Sequence, residues 1–241
     1  MTTPQPATGG GRWMEVTPDR VARWLAGFDE QHHVTRSVYG PETVLFEAAD
    51  GALAECHPPF PPLAETGEHE GLAAQPLVAH AQRERVVGVL LVRLGGHAAG
   101  VFEGDRLVAS KVGSRPVHGR QANGGWSQAR FGRRREEQSR AAAGAATDVA
   151  RRVLLPRLAD LQAVVLGGDR RAVDALRDDP ELKPVFERAV ERFLTLPDPK
   201  LTVLRTAPMM FRAVRIRLVE PDGRRAPDSG HGPDAPQAPG A

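Results

Sequence analysis

Cysteine is almost absent from this chain. One residue, Cys56, stands among 241, so no internal disulfide can form and no multi-cysteine zinc knuckle can be assembled. Its neighbour His57 does not complete a metal site, and the sequence leads us to expect neither metal nor cofactor. Long apolar runs are missing too: stretches such as VVGVLLV fall well short of the roughly 20 residues a membrane helix needs. The first residues, MTTPQPATGGGR, lack the basic patch and apolar core of a secretion signal, which leads to the expectation of a cytoplasmic protein. The familiar hydrolytic signatures are likewise missing. No GxSxG or HExxH occurs, nor a recognisable cysteine nucleophile or motif-like pair of carboxylates.

What the chain does have is an uneven charge. Residues 13 to 70 carry three arginines against eleven carboxylates, a balance of −8, whereas residues 111 to 140 carry one lysine and seven arginines against two glutamates, a balance of +6. A local basic surface on a nearly neutral protein points to a polyanionic partner, although exposed arginines also serve solubility on a solvated helix face.

Read in order, the chain opens on a disordered head (1–11) and then a small N-terminal α+β module (12–57). There Thr17-Pro18 signals a helix start, Val21, Trp24, Leu25 and Phe28 recur at helical spacing over 17 to 30, and short strands follow near 34–39, 43–47 and 52–56. His32, His33 and His57 read as surface or turn histidines. The proline-rich stretch HPPFPPLAETGEHEG falls in the expected linker (58–75).

The main domain is expected over 76–220. Strands near 77–82, 85–94, 97–103 and 106–111 are separated by turn dipeptides that include Gly95-Gly96 and Gly104-Asp105. After an aperiodic loop, 113 to 127, a long alanine-rich helix runs to about 161 with Pro156 as its expected break. A strand at 163–166 then meets Gly167-Gly168-Asp169, either a phosphate cradle or a helix cap at Asp169. An amphipathic helix over 181–196 and a closing strand through Val214, Ile216 and Leu218 complete the domain, before a disordered tail (221–241). The order of elements predicts an α/β (α+β) fold, a mixed sheet with helices packed on it.

The chemistry concentrates in HGRQANGGWSQARFGRRREEQSR, residues 118 to 140. Its glycine-rich loop reaches Gln128 with Arg115 and Arg120 before it and Arg130, Arg133, Arg134 and Arg135 after it. Glutamine has no useful pKa, so it cannot be a general base. It can orient a water through its amide while loop N–H groups stabilise an oxyanion, which suffices for an activated bond such as an ester. Glycines allow close backbone approach, and arginines contact phosphate without reading sequence, so together they describe an RNA-linked ester. The plain alternative is a loop that merely caps a helix through Asn123 or Ser127.

The segment HGR..GG.SQARFGRRR resembles the catalytic loop and following helix of eukaryotic and archaeal class I release factors. Gly124-Gly125-Trp126-Ser127-Gln128 stands where their contiguous Gly-Gly-Gln would be, a displaced form similar to the Vms-like release-factor group of peptidyl-tRNA hydrolases and its actinobacterial branch. The resemblance covers about 76 to 220, and its specific part is confined to 118 to 140. It implies an RNase-H-like sheet and hydrolysis of the ester joining a nascent peptide to tRNA on the large ribosomal subunit. It also implies a catalytic role for Gln128, with Gly124 and Gly125 shaping the loop and Arg115, Arg120, Trp126, Ser127, Arg130, Arg133, Arg134 and Arg135 contacting substrate or RNA. Gln121 remains the second candidate for the catalytic glutamine, because Gly-Gly-Gln follows HGR directly in the contiguous motif. Trp126 packs either on a base or ribosomal surface or back onto the loop.

No stop-codon-reading domain is apparent, so the expected activity is codon-independent rescue of stalled peptidyl-tRNA. The expected partners are ribosomal RNA and peptidyl-tRNA, the chain is read as a monomer, and whether a further rescue partner delivers it stays open. Two other readings remain, a non-catalytic ribosome- or RNA-binding module with a degenerate loop and a metal-dependent nuclease, the latter requiring converging carboxylates.

Overall fold

The computed structural model describes residues 5–7, 10–93, 95–114 and 128–221, and for 128–139 the backbone alone. The elements of the first part are β1 (Gln5–Pro6), β2 (Arg12–Val16), α1 (Val21–His32), β3 (Val34–Tyr39), β4 (Val44–Ala48), β5 (Leu53–His57), β6 (Gly67–Glu70) and α2 (Gln75–Gln82). There follow β7 (Val86–Arg93), β8 (Gly96–Glu103), β9 (Arg106–Ser114), α3 (Gln128–Val153), β10 (Ala163–Gly168), α4 (Arg170–Asp174), α5 (Lys183–Glu187), β11 (Ala189–Leu194), α6 (Leu201–Phe211) and β12 (Val214–Val219).

Five strands build the sheet that carries the arginine-rich segment, in the order β11-β10-β7-β8-β9. Strands β7, β8 and β9 form an antiparallel meander, while β10 and β11 run parallel to β7. This is the mixed sheet that the order of elements predicted, the RNase-H-like one that the resemblance implied. Both of its faces are covered, which explains why β7 reads as one apolar run rather than an alternation. Leu90 and Val92 face α3 through Val149, Ala150, Val153 and Leu154; Val87, Val89 and Leu91 face α6 through Leu204, Ala207 and Phe211. Gly88 lets the chain that follows α3 approach, since a Cβ there would lie 3.0 Å from Leu161 and 3.2 Å from Leu154.

The second sheet has seven strands in the order β1-β2-β12-β5-β4-β3-β6, with every pairing antiparallel. Helices α1 and α2 close its core through Val21, Leu25, Phe28, Leu77, Val78 and Ala81. The C-terminal strand is inserted here, between β2 and β5, and does not close the five-stranded sheet. Arg192 on β11 ties the sheets together by donating to the Ala213 carbonyl (2.6 Å) and to Glu15 on β2 (2.8 Å).

Several expectations are corrected. Residues 75–82 are helical because Pro76 sits in a first turn, where its missing N–H costs nothing, and Leu77, Val78 and Ala81 make one buried stripe. The helix expected over 181–196 is instead a 3-10 turn (Pro180–Leu182), α5 and then β11. Leu182, Phe186, Val190 and Phe193 mimic helical spacing, but β10 offers an open edge and the last two join it as a strand. The stretch read as a linker contains β6, which pairs with β3, and His32 is buried at 4% exposure and bonded to Asp50 (2.8 Å), not a surface histidine.

Candidate functional site

The segment singled out by the sequence is held at both ends by the five-stranded sheet domain. Ser114 ends β9 opposite Gly96, at the same end of the sheet where β7 and β10 finish. At that end Arg93 donates to the Leu196 carbonyl (2.7 Å) and faces Asp198 (3.6 Å), fixing the strand ends against the chain that leaves β11. His97, buried at 8% exposure, lies flat against Gly113, where any Cβ would collide with the imidazole. The entry to the loop is therefore a packed strand end, and this histidine was not singled out in the sequence because nothing local marks its partner as Gly113.

At the other end of the loop, Gln128 is the first residue of α3. The first buried side chain described on α3 is Ala146, 18 residues further along, which corresponds to about 27 Å of helix at 1.5 Å per residue. Among the described side chains, those of the C-terminal part of α3 are anchored in the core, and its backbone continues helical back to the glutamine. Gln128 thus stands in the first described turn of α3. Helical spacing puts positions 130, 133 and 134 on one stripe and position 135 seven residues along from Gln128.

Of the residues named from the sequence, Arg115, Arg120, Gly124, Gly125, Trp126 and Ser127 lie outside the described residues, as does the alternative Gln121. Gln128, Arg130, Arg133, Arg134 and Arg135 lie on the described backbone of α3, and their side chains are outside the description.

The Gly167-Gly168-Asp169 turn resolves to a cap. Asp169 accepts from the Ala172 N–H (2.9 Å) at the head of the five-residue α4, and its own N–H donates to the Val92 carbonyl (2.8 Å). Among the described residues no three His, Cys, Asp or Glu side chains come together as a metal ion would require. Cys56 is fully buried, and burial pushes its thiol far above the ordinary range, so it serves as a small core residue. A groove of about 920 Å³ opens elsewhere, between α1 and β2, and is lined by none of the catalytic or RNA-binding candidates named from the sequence.

The class defined by these features is a release-factor-type domain: an RNase-H-like sheet whose β9-to-α3 connection carries a glycine pair and a glutamine ahead of an arginine-rich helix. A model of the Actinobacteria/chloroflexi VLRF1 release factor family matches residues 85–217, more than half of the chain, and the chain belongs to that family. It is thereby one of the release-factor-like proteins of translation. The chain is also similar to an archaeal translation termination factor, aRF1, with 13% identity and a TM-score of 0.40 over 81% of this chain and 70% of that one. The Vms1 mitochondrial localization core gives 11% identity and a TM-score of 0.39 over 82% and 80%, and S. cerevisiae Dom34 gives 6% and 0.33 over 88% and 69%. Among curated proteins none matches by sequence.

Proposed function

We propose that this chain is a codon-independent peptidyl-tRNA hydrolase that releases nascent peptide from stalled ribosomes. The observation that carries the reading is the release-factor family match across 85–217, because it spans the whole segment from the sheet through the Gly124-Gly125 loop to the head of α3. The ester between peptide and tRNA is already activated, so a neutral amide that positions water is sufficient where a protease would need a strong base. In this reading the Gln128 side chain orients the attacking water, loop amides and the first turn of α3 stabilise the developing oxyanion, and the leaving oxygen belongs to the tRNA ribose. Gly124 and Gly125 give the loop its close approach. Arg115, Arg120, Trp126, Ser127, Arg130, Arg133, Arg134 and Arg135 contact RNA, and the protein acts as a monomer in the cytoplasm, where the ribosomes are.

A release assay on ribosomes carrying labelled peptidyl-tRNA tests this. Release should proceed at similar rates with a sense codon, a stop codon or no codon in the vacant site. Release confined to stop codons would overturn codon independence. Tight ribosome binding without any release would favour instead a binding module with a degenerate loop, which the two-residue displacement of Gln128 from Gly125 permits.

A further inference from the structure

At the other end of β7, three arginines converge with no carboxylate in ion-pair range among the described residues. Arg85 immediately precedes β7, at the end of that strand opposite Arg93, about 25 Å away at 3.3 Å per residue. Its guanidinium Nη1 donates to the carbonyls of His80 (3.0 Å) and Arg83 (3.1 Å), and the group lies 5.2 Å from the Phe60 ring centroid. Arg83, Arg85 and Arg212 line one shallow notch together with Phe60, Gly104 and Phe211. Arg83 is exposed, and Arg85 and Arg212 are half-buried.

No carboxylate comes within 4 Å of these three guanidiniums among the described residues. Glu103, the acid paired across from Val86, is already taken by Arg106 and Arg157. Glu84 lies against Gly104 and forms no ion pair among the described residues. Burial, followed by the charges of Arg83 and Arg212, lowers the Arg85 pKa, and His80 beside them is also shifted down, first by burial. The folded protein therefore holds clustered like charge, partly desolvated at Arg85 and without an ion pair among the described residues. Such an arrangement is costly unless an anion arrives, and planar guanidiniums suit phosphate oxygens.

We infer that Arg83, Arg85 and Arg212 form a second RNA-binding site, a basic patch around the rim of this notch that meets backbone phosphates of ribosomal RNA at the end of the sheet opposite the glutamine loop. Ribosomal RNA as the partner rests on the function proposed above, while phosphate recognition rests on the notch alone. Two contacts about a strand's length apart would fix the orientation of the sheet, and hence of α3, on the ribosome. Phe60 and the His80 and Arg83 carbonyls hold Arg85 in place, while Arg83 and Arg212, which make no side-chain hydrogen bond among the described residues, reach the next phosphates.

The test is the salt dependence of binding to purified large-subunit ribosomal RNA by the full chain, comparing wild type, Arg83→Gln/Arg212→Gln and Gln128→Ala. Arg83 and Arg212 make no side-chain hydrogen bond or ion pair among the described residues, so the double variant should fold; its thermal transition checks this. Neutralising two phosphate contacts should reduce the slope of log K against log salt by about 1.5 and weaken binding about thirtyfold at 0.1 M salt. Gln128→Ala should bind as wild type does, which separates this result from the fate of the hydrolase reading. An unchanged slope and affinity in the double variant would overturn the proposal. So would inorganic phosphate alone, or anionic phospholipid vesicles, binding in an Arg83- and Arg212-dependent way while RNA does not.

Discussion

Tyr39 is the chain's single tyrosine, and its hydroxyl donates to the Ala73 carbonyl (2.5 Å) while accepting from the Leu77 N–H (3.3 Å). Burial pushes its pKa up to about 12. The neutral phenol is thus the form the fold favours: its contribution to stability is complete below the ordinary value of 10.0 and is lost as pH rises towards 12. Tyrosinate absorbance in the folded protein should therefore stay flat through pH 10 and rise near 12; a midpoint at the ordinary value would contradict the burial. Acid acts through Asp50. The bond from His32 holds its carboxyl below the usual 3.8, so that contribution is present above this pH and disappears as pH falls through the lower folded value. Asp50→Asn should flatten the acid limb of a pH–stability curve. At the root of the loop, Gly113→Ala drives a methyl into His97 and should cost about 1–3 kcal/mol in urea unfolding, with His97→Ala in the same chain recovering part of the loss. Equal stability of Gly113→Ala and wild type would mean that the imidazole is free to move.

Helix α3 is two things in one element, a buried foot and a long continuation that bears the glutamine. Leu154→Ala, just past its end and fully buried, should lower unfolding stability by about 2–4 kcal/mol, yet leave peptide release per folded molecule near wild type. A proportional loss of catalysis at full folding would show that foot and head are coupled. Much of this sheet was readable beforehand. The hairpin at Gly104-Asp105, the long helix and the strand after it were each signalled by periodicity and turn chemistry, the hairpin between β7 and β8 was signalled one residue late because Gly96 already belongs to β8, and Pro156 marks the break where α3 gives way to a 3-10 turn. What local pattern could not supply is whether an apolar segment has a strand edge to join. Val190 and Phe193 keep a helical rhythm and still become β11, because β10 is otherwise unpaired on that side. The cluster at Arg85 was hidden for a related reason. Arg83 and Arg85 are far in sequence from Arg212, and only the fold brings them together with no ion pair to a carboxylate among the described residues.

On the scale of the whole molecule, the chain ends are interlocked. The C-terminal β12 lies inside the N-terminal sheet, and Arg192 with Glu15 bridges the two sheets with both side chains mostly removed from solvent. Ending the chain after Arg212 would leave β2 and β5 each with an unpaired edge, and should abolish a cooperative unfolding transition rather than lower it slightly. A fragment limited to residues 85–217 would conversely expose a β12 without neighbours, so it should fold less stably than the full chain. Independent folding of that fragment with full stability would show the seven-stranded sheet to be dispensable. The glutamine loop, the family match and the arginine-rich helix head all bear on one claim, that Gln128 directs water onto a peptidyl-tRNA ester. The most direct measurement is single-turnover peptide release from stalled ribosomes by wild type, Gln128→Ala and Gln121→Ala, with ribosome binding followed in parallel. Gln128→Ala should bind normally and release peptide at least about a hundredfold more slowly, with Gln121→Ala close to wild type; release by Gln128→Ala at the wild-type rate would contradict the account.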